Sequence, residues 1–145
     1  MYITVPLSKQ KNPLINISKL SPTEFQKQEK EHLKFSFKYL DLEDKNCNCN
    51  KCDKEWFIKL LKRKKDLCTM TWYEIKNGGP STRCHQIEWE KTNKPHGLGI
   101  PSLSQDIDGY QIELSQNTGR LIGFYLDNTF FLRWIDRNHF IYSKK

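Results

Sequence analysis

The stretch Gly119–Tyr142, GRLIGFYLDNTFFLRWIDRNHFIY, decides the fold. Leu121, Gly123 and Tyr125 alternate with Ile122, Phe124 and Leu126, the period-2 pattern of a β-strand. Asp127-Asn128 supplies a turn, and Thr129–Ile135 returns as a second strand rich in β-branched and aromatic residues. Both faces of this hairpin are largely apolar, which predicts central strands covered on two sides. The second strand then delivers Arg133, Trp134, Asp136, His139 and Tyr142 within a short span. Titratable and aromatic groups packed so densely at a strand end mark where a site is expected.

Working outward, Tyr110–Ser115 is a further strand, joined to the hairpin through Asn117-Thr118-Gly119. His85–Trp89, HQIEW, is a short strand followed by a long loop carrying His96, Gly97, Gly99 and Pro101. A loop of that length is either functional or mobile. Lys34–Leu40, KFSFKYL, alternates with Phe35, Phe37 and Tyr39 on one face and predicts a half-buried strand.

Helices are expected elsewhere. Asp53 caps a helix through Lys65, with Trp56, Phe57, Leu60 and Leu61 as the apolar stripe. Lys59, Lys62, Arg63 and Lys64 occupy the remaining face. Thr71 with Glu74 makes a short capped turn ended by Gly78-Gly79-Pro80, and Ser21-Pro22-Thr23-Glu24 opens a polar helix to about His32. The expected organisation is an N-terminal arm and short helix over 1–33, then a single domain over 34–145. Its fold class is α+β: an antiparallel sheet with helices packed on one side, closed by the C-terminal β-hairpin.

The chain has 145 residues and a formal charge of +7. Residues 1–66 hold 15 Lys/Arg against 9 Asp/Glu, whereas residues 67–145 hold 9 against 8. A basic first half suits an anionic partner such as RNA, because neutralising phosphates releases counterions; a lysine-rich solvated surface is the plainer alternative. No apolar run approaches the ~20 residues of a membrane span. The opening MYITVPLSKQ has no basic segment leading into an apolar core, so the cytoplasm is the expected compartment.

Three of the five cysteines crowd into Cys47, Cys49 and Cys52. Tetrahedral zinc takes four ligands, and Cys68, Cys84 or His85 could supply the fourth. A reduced surface loop with no metal is the competing reading. Asp106 and Asp108 are too few for a calcium site, and Gly97-Leu98-Gly99 has no strand-loop-helix context for phosphate. No Gly-x-Ser-x-Gly elbow, P-loop or His-Glu-x-x-His occurs.

The order of elements, with a late strand pair reading R-x-I-G-F…D-N-x-F-F-L-R-W, resembles the RelE/ParE-type toxins and the wider class of small microbial ribonucleases. The resemblance covers Lys34–Tyr142 as architecture and Gly119–Trp134 as motif. It implies a compact antiparallel sheet, packed on helices, whose basic and titratable residues cleave RNA. The N-terminal arm, the cysteine insert, the long loop before Tyr110 and the nearly neutral second half depart from that pattern. The tail W-I-D-R-N-H-F-I-Y also resembles small uncharacterised bacterial and prophage proteins, which carry over no function.

Metal-independent RNA cleavage needs a base for the 2′-hydroxyl, an acid for the leaving oxygen and a cation for the phosphorane. His85 or Glu88 would serve as base, His139 as acid, and Arg120 or Arg133 as phosphate clamp. Trp89, Trp134 or Tyr142 would stack an unpaired base, and Lys59, Lys62 and Arg63 would meet the backbone. Two other functions compete. One is a phage, prophage or defence protein that docks a macromolecular partner without chemistry; the other is a small zinc-stapled structural module.

Overall fold

Asp127 and Asn128 both take left-handed backbone, with φ of 51° and 57°. That is the two-residue mirror turn whose twist matches a right-handed hairpin, and Asp and Asn tolerate it. It joins the two longest strands of the computed structural model, which describes residues 31–115 and 118–143. The arm and the helix expected from Ser21 lie outside the described residues, apart from the helix's last two.

In chain order the elements are β1 (Lys34–Ser36), α1 (Lys54–Leu67), α2 (Trp72–Lys76) and β2 (Cys84–Gln86). β3 (Tyr110–Ser115), β4 (Gly119–Leu126) and β5 (Thr129–Asp136) follow. They form one sheet in the order β1-β5-β4-β3-β2. β2 to β5 pair antiparallel, and β1 joins β5 in parallel. The class is α+β, with a mixed sheet rather than a wholly antiparallel one. A parallel pair needs a long crossover, and everything from α1 to β4 lies between β1 and β5.

Both faces of the central strands are covered. On one side Trp56, Leu60 and Leu67 of α1 and Trp72 and Ile75 of α2 pack on Ile112, Leu114, Leu121, Phe130, Leu132 and Ile135. Leu33, placed by sequence in the arm, is also in this core. Trp72 stacks on Tyr125 with ring centroids 4.7 Å apart. On the other side loops replace helices. Ile122 and Trp134 lie under Cys47, Ile87 and Ile141, and Tyr39 covers the stacked rings of Phe124 and Phe131.

A β-bulge makes this two-sided burial possible. Ile122 pairs with Trp134 but Gly123 pairs with Leu132, so Arg133 is the extra residue of β5. The bulge shifts the alternation: Phe130 and Leu132 face the helices before it, and Ile135 does so after it. Gly123 sits against the distortion, where a Cβ would lie 2.0 Å from the Phe131 carbonyl oxygen and 2.9 Å from the Phe130 ring.

The helix caps expected at Asp53 and Thr71 are present. The Asp53 carboxylate accepts from the Trp56 N–H at 2.8 Å, and Thr71 and Glu74 form a reciprocal capping box. Three local expectations are corrected. Only the first three residues of KFSFKYL pair; the chain then turns so that Phe35 meets Phe130, Phe37 is 57% exposed, and Tyr39 crosses to the other face. The Asp41 N–H reaches the Arg133 carbonyl at 2.9 Å, which explains the departure: the segment caps the bulge. In α1, which runs to Leu67, the buried line is Trp56, Leu60 and Leu67 with Arg63 between them, so Phe57 and Leu61 face out. HQIEW is strand only through its first two residues, the Ile87 N–H then donating to the Gly109 carbonyl at 2.8 Å, and Trp89 opens a 3₁₀ turn.

Candidate functional site

Residues directly opposite one another on antiparallel strands share a face, so the register arranges side chains in rows across the sheet. One row on the loop-covered face is Asp136–Arg120–Glu113, and the next is Trp134–Ile122–Gln111–His85. The first row alternates in charge and continues to Arg83, just before β2. Glu113 binds Arg120 Nη2 through Oε1 at 3.4 Å and Arg83 Nη1 through Oε2 at 3.1 Å. Its main chain is tied to the same neighbour, with the Glu113 N–H donating to the Arg83 carbonyl at 3.3 Å.

The tail completes the cluster. Asp136 is fully buried and accepts from the Phe140 and Ile141 N–H groups at 2.8 and 2.9 Å, which folds the chain back after β5. His139, in left-handed backbone with φ of 59°, rides on that turn and is partly exposed. Burial, and then the Arg120 guanidinium, hold its imidazole below the ordinary histidine value against the opposing pull of Asp136 and Glu113. For Glu113, burial pushes the carboxyl up, but the hydrogen bonds and charges of Arg83 and Arg120 prevail and the net shift is downward. The site thus sets an imidazole biased toward its neutral form beside a carboxylate held between two guanidiniums.

Buried polar atoms are nearly always hydrogen-bonded, so each exception calls for an explanation. Among the described residues four buried side-chain atoms have no hydrogen-bond partner: Gln111 Oε1, Arg120 Nε, His139 Nε2 and Asn128 Oδ1. The first three belong to these two rows and the tail that crosses them.

Of the residues singled out from sequence, Arg120 and His139 come together here, and His85 is exposed at the sheet edge on the same face. Glu88 is exposed and paired with Lys91 at 2.9 Å, and its N–H donates to the Tyr142 hydroxyl. Arg133 instead acts as a strut of the bulge, donating to the carbonyls of Leu98, Tyr39 and Gly99. Arg63 does the same between α1 and the sheet, donating to the Glu113 and Thr82 carbonyls at 3.0 and 2.6 Å. Trp134 is buried, donates to Asp41 at 3.1 Å, and carries the Lys94 ammonium over its ring. Trp89 is half-buried and borders a cleft of about 630 Å³ formed by the long loop, with His96, Leu98, Ile100, Leu103 and Ile107 in its lining. Lys59 and Lys62 are exposed on α1, across the sheet from the cluster.

The three crowded thiols do not converge. Cys47 is buried on the loop side, where burial and the neighbouring Asp136 push its thiol up to about 12. Cys49 and Cys52 hydrogen-bond to each other and pack against the helix-side core. Among the described residues no group of three or more His, Cys, Asp or Glu is placed to hold a metal ion.

Sequence reasoning missed Glu113 and Arg83. The signal for Glu113 was available: Gln111 and Glu113 are the polar parity of a strand whose Ile112 and Leu114 face the helices. The turn after Ser115 then places Glu113 opposite Arg120. Fold and site together define a five-stranded α+β protein with a charged ladder on its loop-covered face. No protein family, characterised protein or solved structure matches the chain. No helix among the described residues is long and apolar enough to cross a membrane.

Proposed function

We propose that the protein acts on RNA, cleaving a phosphodiester without a metal at the Arg83–Glu113–Arg120–His139 cluster. One observation carries the reading: the His139 imidazole on the tail lies beside a carboxylate held between two guanidiniums on one sheet face. A neutral His139 accepts the 2′-hydroxyl proton, and the 2′-oxygen attacks phosphorus. Arg120 and Arg83 stabilise the charge on the phosphorane, and Glu113 holds both guanidiniums in place. His85, exposed on β2, donates a proton to the departing 5′-oxygen, leaving a 2′,3′-cyclic phosphate. The depressed pKa favours His139 as base, the reverse of the acid role expected from sequence. Trp89, which lines the cleft formed by the long loop, is the aromatic that would receive a base.

A second reading keeps the cluster as a structural brace in a protein that binds a partner without chemistry. It is favoured by the engagement of Arg63, Arg133 and Trp134 in internal hydrogen bonds. The two readings part on folded variants. His139→Gln and His85→Gln lower RNA cleavage by about 100-fold or more if those imidazoles move protons, whereas the brace reading predicts no cleavage in any variant.

A further inference from the structure

We infer that the outward face of α1 is a docking surface for an acidic amphipathic helix of a partner protein. Phe57, Ile58 and Leu61 are 37, 41 and 65% exposed, an unusual density for a 14-residue helix whose opposite face is already buried in the core. Phe37 extends the patch, because the Lys64 ammonium lies 3.7 Å from its ring centroid and bridges it to α1. Contiguous exposed apolar surface of this kind marks interaction sites.

The spacing says what shape fits. Phe57, Leu61 and Lys65 recur every four residues, and Ile58, three residues before Leu61, lies beside that row. Such a ridge packs into the grooves of another helix. The surrounding charge says what chemistry fits. Lys54, Lys62, Lys64 and Lys65 surround the patch, while Glu55 and Asp66 lie to one flank. A second copy of this face would set lysine against lysine. Residues 1–30 carry five lysines against two glutamates, so the chain's own N-terminal segment has the wrong charge as well. Single-stranded nucleic acid gains affinity from stacking, but the Phe37 ring carries Lys64, Phe57 packs edge-to-face with Trp56, and Ile58 and Leu61 are aliphatic. An acidic helix with an apolar stripe satisfies both the spacing and the charge. The surface lies across the sheet from Glu113 and His139 and stands whether or not RNA is cleaved.

The test is fluorescence anisotropy of the full chain with two labelled synthetic peptides. Both have leucine at heptad positions a and d; one carries glutamate and the other lysine at e and g. The glutamate peptide is expected to bind saturably, to weaken in high salt, and to lose about tenfold or more in affinity on Leu61→Glu, the loss of a central anchor. Leu61→Glu should leave the melting temperature unchanged, since the side chain is exposed. The inference is overturned if neither peptide binds, if both bind alike, or if Leu61→Glu binds as wild type. Tighter Leu61-dependent binding of single-stranded RNA or phosphatidylserine vesicles than of the glutamate peptide also overturns it.

Discussion

His139 is the residue on which chemistry and stability meet. Its folded pKa lies below the 6.5 of a free imidazole, because burial and Arg120 disfavour the charged form. The unfolded chain therefore binds more protons in the window just below pH 6.5. Stability rises with pH through that window and is lost as pH falls through it. The melting temperature of the wild type should drop on acidification across this range, and His139→Gln should flatten the slope there; equal slopes would mean that the imidazole is not desolvated. Glu113 acts in the same sense at lower pH. Its carboxylate is held below 4.5, so its contribution persists above that pH and fades as the pH falls through its folded value. Glu113→Gln at neutral pH removes both partly buried ion pairs, and denaturant titration should show a loss of about 1–3 kcal/mol.

At the scale of the elements, the bulge at Arg133 decides where everything else goes. It lets β5 serve two cores of opposite phase and leaves the Arg133 carbonyl to accept from the Asp41 N–H, while the Arg133 guanidinium donates to the carbonyls of Tyr39, Leu98 and Gly99. Gly123→Ala would drive a methyl into the Phe131 carbonyl and should cost about 3 kcal/mol or more, measurable by thermal or chemical unfolding. The hairpin, its Asp127-Asn128 turn and both helix caps were legible because each depends on residues a few positions apart. The bulge was not, since a one-residue shift in pairing leaves the alternation of Phe130–Ile135 ambiguous until β4 is in register. The stripe of α1 was misread for a related reason: Arg63 occupies a core-facing position because distant carbonyls at Thr82 and Glu113 receive it. The corrected stripe has a direct check. Leu60→Ala should destabilise by about 2–5 kcal/mol, and Leu61→Ala by no more than about 0.5 kcal/mol.

For the whole molecule, the sheet separates two faces of different character. Helices cover one side and present an apolar, lysine-rich outer surface; loops cover the other, leaving the Arg83–Glu113–Arg120 ladder and His139 partly exposed at one end. The positive charge of α1, six Lys/Arg against Glu55 and Asp66, lies on the helix side, while the second half, nearly neutral in total, pairs Arg83 and Arg120 with Glu113 across the strands. Composition alone showed the first of these distributions and concealed the second, because a ladder of alternating signs sums to almost nothing. The measurement that tests the central claim most directly is incubation of chelator-treated protein with single-stranded RNA and with its 2′-O-methyl counterpart, followed by analysis of the product ends. The account predicts cleavage of the RNA alone, 2′,3′-cyclic phosphate termini, and a loss of rate of about 100-fold or more in folded His139→Gln. Intact RNA across the pH range, or equal cleavage of the 2′-O-methyl strand, would contradict it.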